Sequence, residues 1–413
     1  MSPSESKIHV AVVGAGIGGL AIAVALRRCP QYAVTVYERR AAHLQEPSAG
    51  FGIRDHGVTV LQKLGIHRKD VKGVMAAGYR TFNMKGKETS VALMPKPADG
   101  EVPLWLLVRQ DLREALLRRL AVVDETLAPI EVVFDANVTT VEPEIGAIHF
   151  ADGTCRRTDL VIGADGIHSR TRPIIVSDHP EPIPSGVSLF RFDLPIETVK
   201  VAMAKDHEAL VILRDSPEGV LGSIFTAGNG DLRHIVVYPC RDFTQVNFAI
   251  GIPDSFVHNS GTLSHSWTAN GSTDDLLRAL QGFPYWLTEV VCHASSLKLF
   301  QVRDVKPLQS YFKGKTVVIG DAAHAMVPYQ GQGANQALED ADGLCDLLAD
   351  VDDPSHIPEM LRLWDSVRRP RASAIQEQSR DSLLRITTRG TCQSILDVEA
   401  HLPIKEVLKQ SAS

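Results

Sequence analysis

The sequence is poor in the features that mark a secreted, membrane-spanning or nucleic-acid-binding chain. Its 413 residues hold only 6 cysteines. These are Cys29, Cys155, Cys240, Cys292, Cys345 and Cys392, and no two stand at the spacing of a zinc knuckle or a dithiol redox pair. Neither a disulfide framework nor a metal site is expected, and the thiols read as reduced and cytoplasmic. No apolar run approaches the roughly 20 residues that a bilayer demands. Met1 to Lys7 is polar, and the apolar run behind it breaks at glycines too early for a secretory leader. Positive charge is not in excess either. Lys and Arg number 43 against 49 Asp and Glu, a formal net charge of −6, so the broadly basic face that displaces counterions from nucleic acid is missing. Internal repeats and low-complexity linkers are absent too. Oligomeric state is not legible.

What remains is an ordinary globular composition, long enough for two domains or one elaborated domain. Ile8 to Val13 is a short, mainly apolar run that stops at Gly14, as a buried parallel strand does. Gly14-Ala15-Gly16-Ile17-Gly18-Gly19 follows, then the small-residue helix from Leu20 to Leu26, then a strand from Ala33 to Tyr37. These make one strand-helix-strand unit. Asp111 to Leu116 opens a helix with Leu112, Leu116 and Leu120 on one face. Leu160–Ile162 and Thr316–Ile319 are further buried strands, each ending in Gly and Asp. Between residues 185 and 295 the texture changes. Val187–Phe192, Leu210–Leu213, His234–Tyr238 and Val246–Ile250 read as strands without crossover helices, which predicts a mostly antiparallel sheet. Ala334, Leu338, Ala341, Leu344 and Leu348 form a helical stripe, and polar helical sequence follows. The expected fold is therefore α/β. A Rossmann-like nucleotide-binding domain (7–184 and 296–350) carries an inserted sheet domain for substrate (185–295) and a helical C-terminal segment (351–413).

The turn Gly14-x-Gly16-x-x-Gly19 has the context its chemistry needs, a strand before and a helix after. Gly14 serves the tight turn, Gly16 lets a pyrophosphate approach, and Gly19 lets helix and strand pack closely. The helix N-terminus offers unpaired N–H groups to the phosphates. Glu38, at the end of the second strand, can accept the ribose hydroxyls, and Arg39 follows it at the same edge. This unit alone does not separate FAD from NAD.

Two longer segments do. One runs from Asp159 to Arg172 and holds Gly163-Ala164-Asp165-Gly166. The other runs from Gly320-Asp321-Ala322-Ala323-His324 through Pro328-Tyr329-Gln330-Gly331-Gln332-Gly333-Ala334-Asn335. Together with the N-terminal unit they resemble, in order, the three fingerprints of the class A flavoprotein aromatic hydroxylases. That family includes salicylate hydroxylase, para-hydroxybenzoate hydroxylase and many fungal monooxygenases of secondary metabolism. The resemblance covers residues 8 to about 372.

The resemblance implies FAD as cofactor, NADPH or NADH as co-substrate, and O2 plus an aromatic small molecule as reactants. It implies oxygen insertion through a C4a-hydroperoxyflavin. It assigns Asp321 to the ribityl chain, Arg109 to the flavin side, and Asp165, Gly166 and Arg172 to FAD and nicotinamide. Gly331, Gly333 and Ala334 precede a long helix whose positive end suits the anionic edge of a reduced flavin. Pro328 fixes the turn before it and leaves its carbonyl to the cleft. His324 reads as a packed supporting residue. The family usually carries Gly-x-Gly-Ile followed by Pro-Asn. Here Gly50-Phe51-Gly52-Ile53 is followed by Arg54-Asp55-His56-Gly57, which puts the local flavin contacts in question.

The chemistry also needs a dry chamber and help in deprotonating a phenol. Arg191, between Phe190 and Phe192, can hold a carboxylate or phenolate, or form a structural ion pair. Tyr238 can relay a proton, or be core. Tyr329 and Phe283 are candidate pocket residues; Phe283, Trp286 and Trp267 are possible pocket walls for which core packing is the better reading. A reductase on the same fold without oxygen insertion is the alternative, and a non-catalytic flavin-binding module is a third reading. The halogenase signature Trp-x-Trp-x-Ile-Pro is absent.

Overall fold

In the computed structural model of the chain, the residues described are 7–44, 49–95, 104–124, 127–128, 130–178, 180–203, 213, 219–257, 269–389 and 402–412. Trp267, and the strand expected at Leu210–Leu213 apart from Leu213 itself, lie outside them.

Ile8–Val13 forms the centre of a six-stranded sheet because its side chains, the exposed His9 apart, are apolar toward both faces. It pairs in parallel with Tyr32–Tyr37 on one side and Leu160–Gly163 on the other. Thr316–Val318 and Ile130–Val133 extend the parallel order outward, and Phe312–Lys313 adds an antiparallel edge. The helix Ile17–Leu26 is buried along nearly its whole length. Its small residues let it lie close to the helix Gly333–Leu348, where a Cβ on Gly18 would stand 3.4 Å from that of Ala337. A three-stranded antiparallel meander, Val138–Glu142, Ala147–Phe150 and Cys155–Arg157, covers part of this unit.

The second sheet has ten strands and is larger than the span 185–295 expected to hold it. Ile183–Pro195, Gln245–Pro253, Asp231–Cys240 and Val220–Gly228 form its antiparallel middle. Residues 50–108 then supply Val74–Asn83, Glu88–Leu93, Trp105–Val108 and Gly50–Ile53. The join between the two groups, Val220–Gly228 against Val74–Asn83, is parallel. The sheet is thus mixed. The chain enters it in two passes separated by the nucleotide-binding unit, so local periodicity could not show that the passes meet.

Alternation along these strands assigns the two faces. Phe190, Phe192, Phe248, Ile250, Ile235 and Val237 point into a core closed by the short helices Thr273–Ala279 and Tyr285–Cys292. Leu189, Arg191, Ala249, Val236 and Tyr238 point the other way and line a cavity.

The helix Ile357–Arg389 ties the two units together. Near its start Trp364 is fully buried and donates to the Asp340 carbonyl. Midway, Gln376 bonds the carbonyls of Val305 and Ala325, and Ser379 bonds Gln330. In its last turn Ile386 reaches the cavity. Among the described residues no helix is long and apolar enough to cross a membrane.

Candidate active site and cofactor cleft

The site is a cavity of about 330 Å³ between the glycine-rich turn and the inner face of the large sheet. A smaller cavity of about 130 Å³ opens at the other side of the turn, beside Glu38, Arg39 and Arg40. Gly16, Arg109 and Gly166 border both, so one elongated ligand could thread from one to the other.

The three glycines of the turn do different work. Gly14 has a φ of +106°, and a Cβ there would stand 2.5 Å from the Ala164 carbonyl oxygen. At Gly19 a Cβ would meet the Gly14 carbonyl oxygen at 2.0 Å. Gly16 is different, because its nearest neighbour would be Arg109 Nη2 at 3.6 Å. The first two glycines are needed by the fold, and the third leaves room for something the protein does not itself supply.

Two helix N-termini open into this space. Neither Ile17–Leu26 nor Gly333–Leu348 has an acidic residue in its first turn, so the N–H groups keep their positive potential for an anion. Asp321 begins a short helix at the end of its strand, and its Oδ1 would stand 3.8 Å from a Cβ on Gly333. Arg109 lies near Asp321, Glu38, Arg40 and Arg113. Burial lowers its pKa against the pull of Asp321, and the two neighbouring guanidiniums lower it further. Cations gathered around empty space suit a diphosphate. Glu38 accepts from the Ala15 and Arg40 N–H groups at 2.8 and 2.9 Å. Each of its oxygens keeps acceptor capacity for a hydroxyl.

Several residues singled out in the sequence act through others. Asp165 spends its carboxylate on its own loop, accepting from Ser169 Oγ, the Arg170 and Thr171 N–H groups and Thr171 Oγ1. It thereby presents Gly166, which lines both cavities. Arg172 is buried and donates to the Ala322 and Ile167 carbonyls, locking the two aspartate segments together. His324 is fully buried, with Nε2 2.7 Å from Asp340 Oδ2. Asp340 also accepts from the Gly320 N–H at 2.8 Å and from Arg368 Nε at 3.0 Å, which fixes the backbone that carries Asp321.

Two expectations are corrected. The Pro328 carbonyl accepts the Gly331 N–H at 3.0 Å and closes a turn, so it is not left to the cleft. The Pro328 ring does line the cavity. Phe283 is not brought to the cavity at all. It packs in the core on the opposite face of the sheet, within 5.7 Å of the Arg233 guanidinium, because Gly282 and Pro284 turn its segment toward the short helices. Trp286 lies in the same core, edge-on to Phe225.

Arg191 and Tyr238 do come together on the cavity face. The Arg191 guanidinium sits 5.1 Å over the Phe300 ring and reaches the Gly50 carbonyl at 3.5 Å. Its Nε has no hydrogen-bond partner, and no carboxylate pairs with it among the described residues. Burial lowers its pKa, with Tyr238 opposing. Burial pushes the Tyr238 phenol well above its usual range, against the pull of Arg191. A cation and a neutral hydroxyl donor, both dehydrated, are suited to receive an oxyanion.

The departure after Gly52 is held by Asn335. Its Oδ1 accepts from the Arg54 N–H at 2.9 Å, and its Nδ2 donates to the Gly52 and Gly331 carbonyls at 3.1 and 2.8 Å. One amide side chain pins both segments that face the cleft. Asn335, Tyr79, His234 and Ile386 were not legible as site residues. Two of them carried a signal: His234 alternates with Val236 and Tyr238 on one strand face, and Asn335 closes the last of the three fingerprints.

A family described as FAD binding domain matches residues 7–379. Hispidin-3-hydroxylase of Neonothopanus nambi is 28% identical over 92% of this chain and 89% of its own length. The 3-amino-4-hydroxybenzoate 2-monooxygenase of Streptomyces cremeus is 31% identical over 91% of this chain and 87% of its own. A solved salicylate hydroxylase substrate complex shares the fold, with a TM-score of 0.75 over 99% of this chain and 96% of that one at 24% identity.

Proposed function

Because the chain belongs to the FAD-binding-domain family, we propose that it is a monooxygenase that hydroxylates an aromatic small molecule with NAD(P)H and O2. The observation that carries this reading is Arg191. A half-buried guanidinium without a carboxylate among the described residues, beside the Tyr238 hydroxyl and above an aromatic ring, sits in a chamber that opens onto the FAD cleft. Such a pair holds a phenol as its phenolate, and ionisation is what makes the ring electron-rich enough to take oxygen. Of the relatives named above, one is by name a hydroxylase and another a monooxygenase of an amino-hydroxybenzoate, which supports the same substrate class.

Bound FAD supplies the electron transfer and the activation of O2. The protein's part is to bind, orient and exclude water. Gly16, Glu38, Arg109, Asp321, Gly333 and Ala334 border the space for the cofactor. Leu189, Ile224, Val236 and Ala249 form an apolar wall that keeps the reacting ring dry. Tyr238 stays protonated at neutral pH and donates to the substrate oxygen, and Arg191 offsets its charge. The five described cysteines are free thiols, which supports a reducing, cytoplasmic setting.

The test starts from the visible spectrum of the purified protein, followed by anaerobic addition of NADPH or NADH. The expected result is an oxidised-flavin spectrum that bleaches, faster with a phenol present, and phenol-dependent O2 uptake that yields a hydroxylated product. Bleaching without phenol-dependent O2 uptake would replace this reading with a reductase. A protein that takes up no FAD would overturn it.

A further inference from the structure

The sheet wall of the chamber is polar at its two ends and apolar between them. Strand register sets this out. Arg191 pairs with Ala249, Ala249 with Val236, and Val236 with Ile224. Beyond Arg191, the members of that row that line the cavity, Ala249, Val236 and Ile224, carry no hydrogen-bonding side chain. One step along the same face Tyr238 lies opposite Asn247, and one step the other way His234 lies opposite Gly251. At roughly 3.4 Å per residue, Tyr238 and His234 are about 14 Å apart along the strand.

At the His234 end an imidazole and the Tyr329 hydroxyl meet at the cavity wall. The imidazole lies across Gly251, where any Cβ would meet its ring at 2.0 Å. Nδ1 is 2.8 Å from the Leu232 carbonyl. A carbonyl only accepts, so Nδ1 carries the proton and Nε2 is left as a bare acceptor. Burial holds the imidazole below its usual pKa, which keeps it neutral. Tyr329 packs edge-on against His234 with ring centroids 5.4 Å apart. It is 7% exposed, and its hydroxyl has no hydrogen-bond partner among the described residues. Both side chains line the cavity. An acceptor and a donor side by side are satisfied together by one ligand hydroxyl, which donates to Nε2 and accepts from Tyr329.

Resting on the aromatic-hydroxylase reading above, we infer that His234 and Tyr329 form a second hydroxyl-binding subsite. The preferred substrate is then an elongated phenol of two linked rings, hydroxylated at both ends, with an apolar middle against Val236, Ala249 and Ile224. A single-ring acid fills one end only. Leaving the Tyr329 hydroxyl unpaired in the complex costs such a ligand the advantage that the site offers.

The experiment is a pair of titrations of the FAD-loaded protein, read by perturbation of the flavin absorbance. The ligands are 4-hydroxybiphenyl and 4,4′-dihydroxybiphenyl. The diol is expected to bind at least about tenfold more tightly, roughly 1.4 kcal/mol. Two equivalent ends alone give only about twofold by statistics. In Tyr329→Phe and His234→Leu the ratio falls to that statistical value while the flavin spectrum is retained, and His234→Gln, which keeps an acceptor, restores part of it. A wild-type ratio no larger than twofold, or a large ratio that survives both Tyr329→Phe and His234→Leu, overturns the subsite and leaves the hydroxylase reading standing. Binding of neither phenol also overturns the subsite, while the hydroxylase reading stands or falls on flavin bleaching and phenol-dependent O2 uptake.

Discussion

Gly16 and Gly19 belong to one sequence motif, yet substitution should separate them. In Gly16→Ala the new methyl enters open space, since its nearest neighbour is Arg109 Nη2 at 3.6 Å. The backbone there, φ −79° and ψ −176°, is one that alanine adopts freely. Loss of a glycine N-cap costs some tenths of a kcal/mol, and the stiffer unfolded chain returns about 0.4–1 kcal/mol. The apoprotein should therefore keep its stability within about 1 kcal/mol. The same methyl lies where a diphosphate must approach the helix N-terminus. Weakening one or two charge-assisted hydrogen bonds removes about 1.5–3 kcal/mol of binding, a roughly 10- to 150-fold weaker Kd for FAD. Gly19→Ala behaves in the opposite way. Its Cβ would overlap the Gly14 carbonyl oxygen at 2.0 Å and press Ala164 Cβ at 3.1 Å. Overpacking of that kind costs about 1–3 kcal/mol or more, only partly offset by the helix propensity of alanine. Urea melts of the apoproteins and quenching of FAD fluorescence on titration measure the two effects independently. If apo Gly16→Ala melts as early as apo Gly19→Ala, or binds FAD like wild type, the assignment of separate roles is wrong.

Arg191→Met should raise the apoprotein's melting temperature, because it removes a dehydrated charge that lacks a carboxylate. It should also weaken phenol binding about 10-fold or more by flavin absorbance perturbation, and a variant less stable than wild type would contradict the unpaired state of that guanidinium. Asp340 is held ionised: burial opposes the charge, but His324 and Arg368 outweigh it and depress its pKa. Its stabilisation is complete above about pH 4, where the unfolded carboxyl is also ionised, and is lost below that as pH falls through the depressed native value. Asp340→Asn should therefore flatten the acid limb of a melting-temperature profile below pH 4, and an unchanged limb would remove Asp340 from the cause. Phe283→Leu should lower stability by about 1 kcal/mol in urea melts without changing the Kd for phenols, as its place in the far core requires. A shifted Kd would return it to the pocket.

The nucleotide-binding half was legible because its signals are local. The run Ile8–Val13, the glycine turn and the carboxylate at Glu38 lie within one continuous strand-helix-strand unit, and each element constrains its neighbour. The buried strands Leu160–Gly163 and Thr316–Val318 and the helix Gly333–Leu348 were legible for the same reason. The chamber was not. Tyr79 reaches it from a strand more than a hundred residues before Tyr238, and Ile386 from a helix almost 150 residues after it. No periodicity reports that meeting. Phe283 shows the complementary difficulty. An aromatic between Gly282 and Pro284 is equally suited to a pocket wall or a core, and only the side of the sheet on which the loop closes decides between them. Asp165 and Arg172 lie in a strongly marked segment, yet the marks do not say whether a side chain touches the ligand or holds the loop that does.

The helix Ile357–Arg389 bears on how such a protein can diversify. Its first turns grip the scaffold through Trp364 and Arg368, while Ile386, in the last turn, faces the chamber. A change of size at Ile386 reshapes the space offered to a substrate at a position far in sequence from the glycine turn and from Asp321. Selection can therefore act on the far end of one helix to change which molecule is admitted, leaving the inherited redox apparatus untouched.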